Sequence, residues 1–357
     1  MKAAVIGFAV VVAGASGCKK AANDAPAPTV VEGKPAQPEP VKPEPVRPVA
    51  PAAPLAGEAL AKFSQSCWDA FSAQKWDAFG GCYADDVTST ALGMPPNVGR
   101  SAVVADAKAW LAAFPDAKFE PQLVLVSGRT VTEVRWFRAT QSGALTLPSG
   151  TVPATNKPVS FLMLHQIELG DANRVKREAF AFDVGTLLLQ LGKGPGPGRA
   201  LLDKPWPGAP MIVIAKDDET ERKNAAAIKA GYDQLNKRDF KSFDALMADD
   251  IVESFNNEPA DTVGKKAVQE ENNGLIAAFS DIRVDVDTVW AAGDYTVGFE
   301  HVRGTNDGTL GPLVKTGRKL DWTAIEIIRW KDGKVEQSLP FNNGMEFSTQ
   351  LGLVPAK

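Results

Sequence analysis

Ala112-Ala113-Phe114-Pro115-Asp116-Ala117-Lys118-Phe119-Glu120 returns further along the chain as Ala277-Ala278-Phe279-Ser280-Asp281-Ile282-Arg283-Val284-Asp285. In each copy a helical apolar spacing gives way to strand-like alternation, so the stretch marks a passage from helix to strand. The flanks keep register with it. Upstream, Tyr83-Ala84-Asp85-Asp86-Val87 answers Met247-Ala248-Asp249-Asp250-Ile251, and Val98-Gly99-Arg100 answers Val263-Gly264-Lys265. Downstream, Arg138-Ala139-Thr140-Gln141-Ser142-Gly143 answers Arg303-Gly304-Thr305-Asn306-Asp307-Gly308, and both copies close on Gln-Leu-Gly, at Gln190 and Gln350. One domain is written twice.

Within the first copy, Leu60, Phe63, Cys67 and Phe71 recur at helical spacing, Trp76, Phe79, Cys82 and Tyr83 give a shorter helix, and Val103 to Phe114 a third. Strands follow around Ser127-Gly128-Arg129 and Gly170-Asp171-Ala172-Asn173. The second copy repeats the order, with an Asp332-Gly333 hairpin signal. Helices followed by an antiparallel meander predict an α+β class: two tandem cone-shaped domains, each with three N-terminal helices packed in a curved antiparallel sheet. The expected boundaries are 56–192 and 222–357, with a Gly/Pro-rich connector at 193–221 whose Met211-Ile212-Val213-Ile214 is a short strand fit for a sheet edge.

At 357 residues and 44% hydrophobic composition the chain can bury two cores of ordinary size. A net charge of -4 with mixed signs argues against a nucleic-acid partner. Lys2, an apolar run and then Ala15-Ser16-Gly17-Cys18 have the order of a secretory signal over residues 1–17. The cysteine after small residues resembles the lipobox of bacterial lipoproteins, which implies cleavage before Cys18, lipidation of its thiol and, with Lys19 next, an outer-membrane address. Residues 18–55 then form a tether, since ten of the 26 prolines fall between 25 and 54 and favour an extended polyproline stalk. The expected membrane contact is this lipid anchor alone. Cys67 and Cys82 are either an export-compartment disulfide or two buried thiols.

With its elements in this order, each copy resembles the SnoaL-like polyketide-cyclase branch of the nuclear transport factor 2-like superfamily. The resemblance rests on the Ala-Asp-Asp phrase, the Gly99-Arg100 and Gly264-Lys265 helix entries, the Ala-Ala-Phe-Pro/Ser-Asp stretch and the terminal Gln-Leu-Gly. It implies a curved sheet wrapped over helices around a mainly apolar pocket, used in that family for cyclisation, isomerisation, dehydration or binding. The cyclases' acid/base aspartate falls on Asp183, with His165 as a second proton-transfer or hydrogen-bonding group; the alternative for Asp183 is a helix cap. The second copy has Asn343 there, and an amide does not exchange a proton as a carboxylate does. Both copies also lack the cyclases' frequent histidine, with Gln141 and Asn306 in its place.

Trp136, His301, Asn343 and Trp322 are the expected ligand-binding residues. Two histidines in separate copies predict no metal site, and no cofactor motif is present. Asp85-Asp86 and Asp249-Asp250 read as helix-end cap and turn residues. The first expectation for function is a cell-envelope lipoprotein binding a small apolar or amphipathic molecule. The alternatives are an Asp183-dependent enzyme and a partner-binding protein whose two copies form an intramolecular pseudo-dimer.

Overall fold

The computed structural model describes residues 53–194, 199–204, 211–309, 311 and 313–353. The signal, Cys18 and nearly all of the tether lie outside these residues. The first copy runs α1 (Gly57–Ser72), α2 (Trp76–Gly81), β1 (Tyr83–Ala91), β2 (Asn97–Val98), α3 (Arg100–Ala113), β3 (Lys118–Ser127), β4 (Thr130–Thr140), β5 (Leu145–Leu147), β6 (Gly150–Val152), β7 (Pro158–Leu169), β8 (Val175–Ala181) and α4 (Val184–Gln190). The connector supplies β9 (Met211–Ile214). The second copy runs α5 (Glu219–Asn236), α6 (Phe240–Asp244), β10 (Met247–Glu253), β11 (Thr262–Val263), α7 (Lys265–Ala278), β12 (Arg283–Ala292), β13 (Tyr295–Thr305), β14 (Lys319–Lys331), β15 (Lys334–Phe341) and α8 (Gly344–Gln350).

The sheets are ordered β2-β1-β8-β7-β4-β3-β9 and β11-β10-β15-β14-β13-β12. They are mixed rather than wholly antiparallel, because β1 runs parallel to β8 and β10 parallel to β15. The Ala-Asp-Asp phrases therefore lie on strands, not at helix ends. Their aspartates face solvent, where Asp85 pairs with Arg100 at 3.0 Å and Asp86 with Lys176. A strand with two adjacent exposed acids hides its alternation from a reading by period. β9 joins the edge of the first sheet, parallel to β3.

The repeated Ala-Ala-Phe stretch has a mechanical reason. Ser142 and Gly143 donate their amides to the Ala113 carbonyl, both at 3.1 Å, and Asp307 and Gly308 do the same to Ala278. A Cβ on Gly143 would lie 2.0 Å from the Ala112 oxygen, and one on Gly308 1.9 Å from that of Ala277, so only glycine fits. Phe114 and Phe279 are buried beneath this junction, and Asp116 and Asp281 accept the amides of Thr140 and Thr305 at 2.7 and 2.6 Å. Gln141 and Asn306, at the position of the family histidine, pin the following loop: Gln141 donates to three backbone carbonyls, while Asn306 donates to Ala278 and Gly308. The third helices begin at Arg100 and Lys265 behind the glycine N-caps Gly99 and Gly264, which provide no side-chain cap.

Each helical layer fills the inner face of its sheet. The outer faces meet in one buried apolar cluster, with Leu123, Leu125, Val134 and Leu164 from the first sheet and Val297, Ile325, Ile327 and Phe341 from the second. Burying such side chains is worth about 1.5–3 kcal/mol each.

Candidate functional site

Between α1–α3 and its sheet the first domain encloses a cavity of about 160 Å³. Phe71, Phe79, Trp110, Phe161, Phe180 and Phe182 supply much of the apolar wall, and Tyr83, His165 and Glu178 supply polar atoms. His165 on β7 is buried and engaged at both ring nitrogens, with Glu133 Oε2 at 3.1 Å from Nδ1 and Glu178 Oε1 at 3.0 Å from Nε2. Tyr83 donates its hydroxyl to the same Glu178 oxygen at 2.7 Å.

Behind the histidine the network continues. Glu133 accepts from Ser64 Oγ at 3.0 Å, Trp68 Nε1 at 2.8 Å and the Arg135 guanidinium at 2.9 and 3.1 Å. Arg135 also donates to the Phe119 carbonyl and to Gln65, and lies over the Trp68 ring. β4 can carry this pair because period-two alternation puts residues 133, 135 and 137 on the helix-facing side.

Burial works against both central charges and loses. It would raise Glu133, but the Arg135 charge and hydrogen bonds from His165 and Arg135 hold that carboxyl well below the usual range. It would lower His165, but the hydrogen bonds and charges of Glu133 and Glu178 carry the imidazole above its ordinary value. An imidazolium clamped between two carboxylates is a hydrogen-bonded strut with no free lone pair to take a proton. For Tyr83, burial and then the Glu178 charge push the phenol well up, so it stays a donor.

Asp183 stands elsewhere. It is the N-cap of α4, accepting from Thr186 N at 2.5 Å and, from the other copy, Gly344 N at 2.8 Å, and it is not among the residues lining the cavity. Burial raises its carboxyl despite these amide bonds. Asn343, its counterpart, caps α8 through Met345 N at 3.2 Å and donates across to the Leu92 carbonyl at 2.9 Å. Trp136 points away from the cavity, donating to Ser160 Oγ at 2.8 Å with Arg138 over its ring. His301 pairs with Asp321 at the surface. Of the four expected ligand-binding residues, Trp322 alone lines a cavity, that of the second domain. Cys67 and Cys82 are joined as a disulfide, Cα to Cα 6.1 Å, tying α1 to the end of α2, with Cys67 in the cavity wall. In the second domain Leu246 fills that gap over Gly231, where a Cβ would come within 2.6 Å of it.

The second cavity is also about 160 Å³ and is lined by Glu253, Glu300 and Glu326 together with Tyr232, Ser338 and Asn342. Sequence reasoning missed both sets of buried charges. The signal available for the first was Glu133 and Arg135 two apart inside the apolar run Val131 to Phe137. Among the described residues no group of His, Cys, Asp and Glu is arranged to hold a metal ion, and no helix is long and apolar enough to cross a membrane.

Two curved sheets, each cupping helices over a cavity, define a tandem of cone-shaped α+β domains. The family described as SnoaL-like polyketide cyclase matches residues 58–191 and again 226–351, and the chain belongs to it. Solved structures similar to single copies include AclR, a candidate hydroxylase from Streptomyces galilaeus, at 23% identity over 38% of this chain and 99% of that one, with a TM-score of 0.34. Another is a candidate SnoaL-like polyketide cyclase from Jannaschia sp. CCS1, at 19% identity, 39% and 99% coverage and a TM-score of 0.36. An NTF2-like protein of unknown function from Burkholderia pseudomallei is 15% identical, with 36% and 97% coverage and a TM-score of 0.32. Among curated proteins, none matches.

Proposed function

We propose that the chain is a lipid-anchored cell-envelope protein whose cones bind small apolar or amphipathic molecules without transforming them. The observation that carries this reading is the first cavity, where aromatic walls surround Tyr83, Glu178 and His165, already committed to one another. His165 has no nitrogen left to accept a proton, while Glu178, shared by Tyr83 and His165, keeps a second oxygen able to accept one hydrogen bond from a guest. Such a site orients and holds. Native mass spectrometry of the chain lacking residues 1–18, after exposure to an extract of the source cells, is expected to show a discrete added mass that denaturation releases unchanged. A product mass distinct from the ligand supplied would reject the reading.

The anchor is a separate part of the proposal, motivated by Ala15-Ser16-Gly17-Cys18 ahead of the proline-rich tether. Labelling with a clickable palmitate analogue in the source cells should be lost in Cys18→Ser, and persistent labelling would remove it. The enzyme alternative keeps two supporting observations, the raised Asp183 carboxyl, against its engagement by two backbone amides, and the Asp106 carboxyl of the cavity wall, raised by burial. Turnover of a carbonyl compound abolished by Asp183→Asn in a folded protein would revive it. The apolar cluster between the sheets supports an intramolecular pair in place of a dimer of separate chains.

A further inference from the structure

The second cavity presents ionisable groups of one kind. Glu253 on β10, Glu300 on β13 and Glu326 on β14 line it with Tyr232 from α5, and no lysine, arginine or histidine is among the lining residues described. Glu326 is satisfied, accepting from Tyr232 Oη at 2.8 Å and Ser338 Oγ at 2.5 Å. Glu300 is only 5% exposed, yet its Oε1 has no hydrogen-bond partner among the described residues. Asn342 is fully buried and leaves both side-chain amide atoms without one. Trp322 Nε1 is in the same condition. Buried polar atoms are nearly always paired, so two unpaired acceptors on one cavity, Glu300 Oε1 and Asn342 Oδ1, mark a place for a donor the chain does not itself supply.

We propose that the second cone is a receptor site for a small organic cation, a protonated amine on an apolar body, with Glu300 and Glu326 as its counter-charges. This rests on the reading of the cones as ligand cavities and gives the ligand of one of them a chemical class. An ammonium brings only donors, which suits the two unpaired acceptors, Glu300 Oε1 and Asn342 Oδ1, and leaves the donors Asn342 Nδ2 and Trp322 Nε1 to the rest of the guest. The aromatic faces of Trp322 and Phe243 at the wall favour a cation with hydrocarbon attached. The volume sets the size, since an engineered cavity of about 150 Å³ takes benzene. An anion would meet Glu326 and two further acidic groups and no cation among the described lining residues, and a neutral hydrocarbon would leave Glu300 and Asn342 as they are.

The cavity's electrostatics agree. Burial, then the Glu326 carboxylate, raises Glu300 well above the ordinary value, and burial, then Glu326 and Glu271, pushes Glu253 up to about 8. The titratable groups facing Glu300 are Glu326, Glu253 and Tyr232, and Glu271 of α7 acts on Glu253; all are acidic or neutral. A cation arriving near pH 7 must therefore displace protons from these carboxyls.

The test is calorimetric titration of the intact chain with benzylamine, benzyl alcohol and benzoate at pH 7, repeated in buffers of different ionisation enthalpy. Benzylamine is expected to bind at least ten-fold tighter than benzyl alcohol, to release protons, and to lose ten-fold or more in Glu300→Gln and in Glu326→Gln. Thermal melts check that these variants are folded, and Glu300→Gln should melt higher than the parent without ligand. Equal binding of benzyl alcohol and benzylamine, or benzylamine binding indifferent to both substitutions, overturns the cation site while leaving the ligand cavity standing. No binding by any of the three overturns the cation site, and an added mass in the extract experiment would show that the cavity reading survives.

Discussion

The two cones share a fold and differ most where they are hollow. In the first, Glu133 and Glu178 are matched by Arg135 and His165; in the second, the aligned strand positions read Gly298, Ser338, Glu300 and Glu326. A positive Arg135 becomes a Glu300 whose carboxyl is raised by burial and by Glu326, and a histidine becomes a glutamate. Compensated charges are buried in the first domain, whereas the second buries carboxyls without a counter-charge, which burial and their neighbours raise. The duplication thus kept the junction at Ala113 and Ala278 unchanged while the interiors took opposite electrostatic characters.

The largest test of that contrast is Glu133→Ala. Removing the central acceptor leaves Arg135 and His165 buried without their shared counter-charge, a loss expected to cost about 3–5 kcal/mol in denaturant unfolding. The matched change in the second domain should have the opposite sign. Glu253→Gln is expected to stabilise by up to about 4 kcal/mol at pH 8, since a carboxyl titrating at about 8 is costly to ionise in the fold, and to do little near pH 4. A loss of stability at pH 8 would break the comparison.

Acidity sharpens it further. Glu133 is lowered, so its contribution is present above the ordinary carboxylate range and fades only as pH falls through its depressed value. His165 is raised, so its contribution is complete below about pH 6.5 and fades as pH rises through its folded value. Glu253 and Glu300 are raised carboxyls, so their cost grows from about pH 4 upward. Between pH 4.5 and 6.5, amide exchange corrected for its intrinsic rate should quicken in β13 and β14 and hold steady in β4 and β7. The smallest effect belongs to Asp183→Ala, about 1 kcal/mol for a lost cap, read as a fall in melting temperature of about 2–4 °C.

The sequence disclosed the duplication, the helices and the edge strand β9, because repeated motifs and local periods carry those. β1 stayed hidden, since Asp85 and Asp86 are adjacent exposed acids on a strand whose partner β8 begins at Val175, far along the chain. The charge network was illegible for a related reason. Ser64, Trp68, Tyr83, Glu133, His165 and Glu178 come from five elements, and a glutamate read alone belongs on the surface by default. His165 could be singled out as a residue type, but its engagement at both nitrogens is a tertiary fact. Asp183 carried a family role and a capping role in one residue, and only geometry shows which backbone amides it meets.

Those amides have a longer reach. Asp183 of the first copy holds the opening turn of α8 in the second, and Asn343 of the second holds the Leu92 carbonyl of the first. Each copy satisfies a backbone group of the other with the residue that caps its own last helix. Cutting the chain between the copies would expose the apolar cluster and leave the Leu92 carbonyl and the Gly344 amide without these partners. The pair has become a single heritable unit, free to diversify inside each cone and bound to stay together at the seam.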